Sequence, residues 1–167
     1  MRANVRMRHR QDGFTLIEAG IATMVVGIGI VALVHSLGAG TNVNHQGQNI
    51  TQAVFVAQEV REYSLTLPFR DKDTPANPPG PDADDTEVDD LDDLMGATFS
   101  PPIDGQGKPI DNMAGWTQAV SLQWRDPNSL TSTVPNGSSD SIYVTVTITR
   151  NDQQVLQTSW LVSKRTP

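Results

Sequence analysis

A run of acidic residues in the middle of the chain has the composition of a cation site. Residues 82–93 have the sequence DADDTEVDDLDD, in which eight residues are acidic. Clustered oxygen ligands suit Ca²⁺, but the EF-hand pattern is not met, because no glycine stands at the sixth position counted from Asp82 or Asp84. A solvated acidic loop is favoured, and calcium binding is the alternative, with the candidate ligands Asp82, Asp84, Asp89, Asp90, Asp92 and Asp93.

Residues for nucleophilic or metal-assisted catalysis are scarce. The chain has no cysteine, which excludes a disulfide framework and thiol chemistry. Of its three histidines, His9 precedes the long apolar run, His35 borders it and His45 follows it, so a triad or a zinc site has few residues to draw on. Residues 105–108 (GQGK) favour a turn over a phosphate loop. We expect no enzymatic activity and no cofactor apart from the calcium alternative.

A single carboxylate lies inside an apolar run near the N-terminus. Residues 14–34 are 21 long, and Glu18 carries the only charge among them. That length crosses a hydrocarbon core of about 30 Å as a helix. A charge at membrane depth costs roughly 2.5–3.5 kcal/mol and therefore indicates a function. An ordinary cleaved secretory signal, with small residues after the run, and an uncleaved anchor remain alternatives.

The residues around this carboxylate carry a specific resemblance. The segment Gly13-Phe14-Thr15-Leu16-Ile17-Glu18 resembles the GFTLIE processing site of type IV prepilins and type II secretion pseudopilins. The context also matches, since a leader with four arginines precedes the motif and about 20 apolar residues follow it. The resemblance covers roughly residues 1–40.

The resemblance implies a processing pathway and a role for Glu18. A prepilin peptidase in the membrane would cut after Gly13 and methylate the new N-terminus at Phe14. The Glu18 carboxylate would then face the Phe14 amine of a neighbouring subunit in an assembled filament, where low polarity strengthens the attraction. The spacing alone permits this pairing and equally permits Glu18 to favour the positive end of its own helix.

The charge distribution argues against nucleic-acid binding. Residues 1–13 contain four arginines and one aspartate, whereas eight basic and eighteen acidic residues follow from position 14, a net charge of −10. A nucleic-acid site needs a basic patch to neutralise phosphates. The basic leader instead predicts a cytoplasmic N-terminus, with the rest of the chain across the membrane.

The helix is expected to continue to about Leu67. Apolar or small residues recur at helical spacing, and Pro68 disfavours helical geometry at the residue before it. We expect this face to cover the C-terminal sheet, with the members Ile50, Ala53, Val54, Ala57, Val60, Ser64 and Leu67.

The remainder divides into a loop region and a sheet. Prolines and acids dominate residues 68–115, where Val88, Leu91, Leu94 and Met95 allow one short helix. Period-two alternation with β-branched residues then predicts strands starting at Trp116, Ile142 and Gln154. The second and third meet at a turn at Asn151 and Asp152, and residues 126–139 connect the first two.

The predicted fold class is α+β and pilin-like. It has a long N-terminal helix packed on a small antiparallel sheet of about three or four strands. The predicted segments are a cleaved leader (1–13), a transmembrane half-helix (14–37), an amphipathic half-helix (38–67), a loop region (68–115) and a sheet (116–167).

A filament subunit anchored in the inner (cytoplasmic) membrane is the leading functional hypothesis. We favour a minor pilin of the pilus-modification kind, with a periplasmic or extracellular C-terminal domain. A type II secretion pseudopilin and a signal-anchored periplasmic binding module are the alternatives. The expected partners are prepilin peptidase, other pilin subunits, the inner-membrane assembly platform and membrane lipid.

Overall fold

The computed structural model of the chain describes residues 15–70, 79–81 and 88–164. They form one long helix, α1 (Leu16–Thr66), a 3₁₀ helix (Asp92–Leu94) and five strands, which are β1 (Thr98–Phe99), β2 (Trp116–Asp126), β3 (Ser129–Thr133), β4 (Ser141–Arg150) and β5 (Gln153–Ser163). The chain divides into two compact units, Met1–His45 and Gln46–Pro167. The α+β class is confirmed.

The described part of the first unit consists of the N-terminal portion of α1. The helix begins where Thr15 caps it, because the Thr15 carbonyl accepts hydrogen bonds from the backbone N–H groups of Glu18 (3.1 Å) and Ala19 (3.2 Å). The Thr15 hydroxyl also accepts from the Glu18 N–H at 3.4 Å. A threonine at this position satisfies N–H groups that have no partner within the helix.

The second unit is built on an antiparallel sheet. Its strands follow the order β1-β2-β4-β5, and β3 pairs with β2 on a separate branch. The pairing of β2 with β4 runs from Trp116 opposite Arg150 to Trp124 opposite Ile142. The predicted turn at Asn151 and Asp152 joins β4 to β5, and both residues have positive φ angles.

The strand count is higher than predicted. Five strands are present in the described residues, not three or four. The additional ones are β1, inside the proline-rich region, and β3, inside the stretch predicted to be a plain connection. Each strand is too short to show a clear period-two pattern in the sequence, and each pairs with β2.

One face of the sheet packs on the second-unit part of α1, as predicted. The alternating core positions of β2 and β4 are all buried, and they are Trp116, Gln118, Val120, Leu122, Trp124, Ile142, Val144, Val146 and Ile148. The helix buries Ala53, Val56, Ala57, Val60 and Ser64 against them.

The predicted helix face is therefore partly wrong. Ile50 is 52% exposed and Val54 is 44% exposed, whereas Val56, which was not in the predicted face, is fully buried. The helix is rotated so that Ala53, Val56 and Val60 meet the sheet. Ala53 and Ala57 are buried in the same core cluster.

Candidate functional site

The N-terminal portion of α1 exposes apolar side chains on every side. Each described residue from Thr15 to Thr41 whose side chain is described is exposed. Among the described residues, α1 is the one helix long and apolar enough to cross a membrane. A helix that is apolar all round needs a surrounding apolar medium, either lipid or neighbouring helices. This exposed apolar surface has no partner within the described residues.

Glu18 lies in the first turn of α1 and is exposed. The backbone N–H of Glu18 is satisfied by Thr15, without a contribution from the Glu18 side chain. No other charged residue lies in α1 before Glu59. The predicted processing residues, Gly13 and Phe14, lie outside the described residues.

Two threonines and five glycines of this helical portion are compatible with an environment that excludes water, such as lipid or a helix bundle. The Thr23 hydroxyl donates to the carbonyls of Ala19 (3.0 Å) and Gly20 (2.9 Å), and Thr41 donates to Leu37 at 2.9 Å. Hydroxyls paired inside the helix need no water. At five glycines an added Cβ would meet no atom within 4 Å, so intrachain packing does not require them; they are Gly20, Gly27, Gly29, Gly38 and Gly40.

The described acidic residues build a turn. The Asp90 carboxylate accepts hydrogen bonds from the N–H groups of Asp92 (2.8 Å) and Asp93 (3.2 Å). The Asp93 carboxylate accepts from those of Asp89 (3.1 Å) and Asp90 (3.4 Å). Asp92 in turn accepts from the N–H of Gly80 at 3.0 Å. These carboxylates hold the 3₁₀ helix, in which Leu94 is fully buried, as is Leu91 just before it.

Burial changes the acidity of one member of this turn. Asp90 is buried, and loss of water raises its pKa from 3.8 to about 7, helped by the hydrogen bond to Asp92 and by that neighbour's charge. The N–H groups of Asp92 and Asp93 act in the opposite direction but are outweighed. Asp90 therefore takes up a proton close to neutral pH.

The calcium alternative gains no support from this geometry. Asp82 and Asp84 lie outside the described residues. Within residues 15–70, 79–81 and 88–164, no three His, Cys, Asp or Glu side chains are placed to share a metal ion. Oxygens of Asp90 and Asp93 accept hydrogen bonds from backbone N–H groups of the turn, and an Asp92 oxygen accepts from the N–H of Gly80.

A buried glutamine, which the sequence analysis did not single out, connects three parts of the chain. Gln118 is fully buried in β2. Its side-chain nitrogen donates to the carbonyls of Val56 and Ile103, each at 3.0 Å, and its oxygen accepts from the Ile103 N–H at 2.7 Å. The available signal was a glutamine in an otherwise apolar alternation, since a buried amide must find partners.

Two side chains tie the ends of the helix segment to the strands. The Trp160 indole N–H donates to the Ser64 hydroxyl at 3.2 Å, which joins β5 to α1. Near the other end, the Arg150 guanidinium donates to Asn49 and lies 5.2 Å from the centre of the Trp116 ring. The second unit is thus fixed around residues 49–64 of α1.

One cleft of the second unit holds little chemistry. It has a volume of about 400 Å³ and contains one ionisable side chain, and its lining residues are Ser100, Pro101, Pro109, Ile110, Asp111, Asn112, Met113, Ala114 and Gly115. The described histidines, His35 and His45, are both exposed on α1. Neither histidine lines a cleft described here, and the absence of enzymatic activity stays a prediction.

The chain was also compared with known proteins. It matches no protein-family model, no curated protein and no solved structure. Its function is therefore inferred from its own residues and their geometry.

Proposed function

We propose that this chain is a membrane-anchored filament subunit of the type IV pilin kind, most closely a minor pilin. It is cut after Gly13, N-methylated at Phe14 and assembled through α1. The proposal rests on the processing motif in the sequence. One structural observation supports it above all others, namely the fully exposed apolar portion of α1 with a single carboxylate in its first turn.

The exposed apolar side chains explain why the chain needs partners. Leu16 is 95% exposed and Leu37 is 71% exposed, with residues of similar character between them. Burial of apolar surface contributes about 25 cal/mol per Å², so this surface strongly favours lipid before assembly and neighbouring helices afterwards. The open glycines allow such helices to approach closely.

Glu18 supplies the specificity that apolar contacts lack. Cleavage after Gly13 would create an amine at Phe14, one helical turn from the carboxylate. In a bundle of helices, the carboxylate of one subunit would pair with the amine of the next, and helices in the wrong register would leave both charges unpaired. The Thr15 cap leaves the carboxylate available, because the hydroxyl and carbonyl of Thr15 already satisfy the N–H of Glu18.

The proposed location and partners follow from this anchor. Before assembly, the chain spans the inner membrane once, with the basic leader in the cytoplasm and the second unit on the periplasmic side. Prepilin peptidase, lipid, the assembly platform and other pilin subunits are its partners. The acidic body makes nucleic acid an unsuitable direct ligand.

Fractionation of the native host tests this proposal. We expect the chain in the membrane fraction and in filaments sheared from the cell surface. Retention in the cell envelope with loss of protein secretion on deletion would identify the pseudopilin alternative. A chain that never associates with any filament and lacks its first 36 residues or more would contradict the proposal and favour a periplasmic binding module.

A further inference from the structure

The outer edge of β5 has the features of a strand edge that can pair with another strand. None of its eleven residues is charged or proline. From Leu156 to Ser163 it pairs regularly with β4, and no strand among the described residues pairs with its other side. Proteins usually protect such an edge with lysine, proline or a short strand. This edge lacks those protections, although the body of the chain is strongly acidic.

The opposite edge of the sheet offers a strand of the correct direction. β1 is antiparallel to β2, β2 to β4, and β4 to β5. β1 therefore runs opposite to β5. A second copy displaced sideways by one sheet width, and turned to follow the twist of the sheet, would bring its β1 antiparallel to the free edge of β5.

The residues on the two edges also stand in the same rows. One row across the sheet is Phe99, Gln118, Ile148 and Leu156, and the next is Thr98, Ala119, Thr147 and Gln157. Sideways displacement along these rows places Phe99 of the next copy opposite Leu156, and Thr98 opposite Gln157. This register needs no one-residue shift of either strand, so each side chain stays on the face of the sheet that it occupies in a single copy.

We infer that copies of this chain join head to tail by adding β1 of one copy to the free edge of β5 of the next. The inference rests on the proposed function, because a filament supplies copies in the same orientation. A head-to-tail contact of this kind does not close on itself and continues along an assembly.

The side chains brought together suit this contact. Phe99 and Leu156 are both half-buried on the helix side of the sheet, and an aromatic–aliphatic pair across strands is stabilising. A cleft of about 220 Å³ lies beside β5 on the same face and gives room for a side chain of the added strand; its lining residues are Ala57, Gln58, Arg61, Thr158, Ser159 and Trp160. On the outer face, Thr98 and Gln157 are exposed and uncharged.

Disulfide cross-linking tests the contact directly, because the chain has no cysteine of its own. The full chain carrying both Thr98→Cys and Gln157→Cys is expressed in its host with the assembly machinery intact and is mildly oxidised. Directly opposed residues have Cβ atoms about 4.5–5.5 Å apart, which a disulfide can bridge with a small adjustment. We expect a ladder of covalent oligomers on a non-reducing gel and a peptide joining residue 98 to residue 157.

Matched variants make the result decisive. Either cysteine alone should give no cross-link, and Thr98→Cys combined with Ser121→Cys, an exposed position in central β2, should give none. A dimer from Gln157→Cys alone would overturn the head-to-tail contact in favour of symmetric pairing of two β5 edges.

The outcomes also separate this inference from the proposed function. Normal filaments that contain the double variant but give no ladder would overturn the strand contact and leave the filament proposal standing. A ladder in membranes of cells that never incorporate the chain into filaments would support the contact and contradict the filament role. Tryptophan fluorescence confirms in each case that the variant is folded.

Discussion

The side-chain nitrogen of Gln118 lies 3.0 Å from the backbone oxygen of Val56, and this hydrogen bond joins the middle of the sheet to the helix. The same amide also satisfies both backbone groups of Ile103. A polar group thus lies at the centre of the core with all its partners present. Such a group fixes the position of the helix along the strand more precisely than apolar contacts can.

Replacement of Gln118 by leucine should destabilise the second unit. The Ile103 N–H would lose its partner inside the core, which costs about 1–3 kcal/mol for each buried group left unsatisfied. Urea unfolding of the detergent-solubilised chain, followed by tryptophan fluorescence, measures the change. Ser121→Leu on the exposed face of the same strand is the control and should change the free energy of unfolding by less than about 0.5 kcal/mol. Equal effects would show that Gln118 has no special role.

Asp90 should make the stability of the second unit depend on pH. The folded chain keeps the Asp90 proton up to a pKa of about 7, whereas the unfolded chain loses it near 3.8. The contribution of Asp90 to the free energy of unfolding is therefore fully present below about pH 4. It falls as the pH rises toward 7, by at most about 1.4 kcal/mol per pH unit.

The variant Asp90→Asn tests this pH dependence. The amide keeps an acceptor for the N–H groups of Asp92 and Asp93 but cannot ionise. We expect the melting temperature of the natural chain to rise relative to that of the variant as the pH is lowered from 8 to 5. Exposed Asp111→Asn should follow the natural chain. A constant difference between Asp90→Asn and the natural chain across this range would refute the effect.

Gly115 should tolerate a side chain less well than Gly96. Both glycines have a positive φ near 80°, so alanine is strained at either position by roughly 1–2 kcal/mol. At Gly115 the added Cβ would also collide with the side-chain oxygen of Asn151, whereas at Gly96 it meets no atom within 4 Å. Thermal unfolding should therefore show a larger loss for Gly115→Ala. Equal losses would mean that Asn151 moves away without cost.

Loss of the Glu18 charge should impair assembly and leave processing intact. Glu18→Val removes the carboxylate that we propose pairs with the Phe14 amine of a neighbour, and an interaction of about 1.4 kcal/mol corresponds to a tenfold change in equilibrium. We expect about tenfold less of the variant in sheared filaments, measured against the membrane-bound pool. Thr23→Val, one of the few other polar changes available in this helix, should assemble normally. Undiminished incorporation of Glu18→Val would contradict the proposed charge role.

The sequence predicts an element correctly where the burial of one face leaves a regular pattern of apolar residues along that element. The alternation predicted β2 and β4 to within one residue of their starts, and Pro68 marked the end of α1 within two residues. The rotation of the helix was wrong, because Ile50 and Val54 are as apolar as Val56 and only the contact with the sheet decides among them. Propensity alone gives no reason for a strand at β3, which exists through its pairing with β2.

The contacts of the acidic turn and of Gln118 could not be predicted, because they join residues that are far apart in the sequence or depend on how a turn folds. The acidic residues were considered as calcium ligands because their composition is visible, whereas their hydrogen bonds to the backbone depend on how the turn folds. The partners of Gln118 lie 62 and 15 residues away along the chain, beyond any local pattern. The motif at Gly13–Glu18, in contrast, is local and needed no structure to be noticed.

The mass and N-terminal residue of the protein purified from its native membrane test the central claim most directly. The account predicts a chain that begins at N-methylated Phe14 and retains the whole of α1. Gly13→Val should abolish this form and leave the full-length precursor. A natural chain that begins at Met1, or one that begins after the apolar run, would contradict the assignment as a filament subunit.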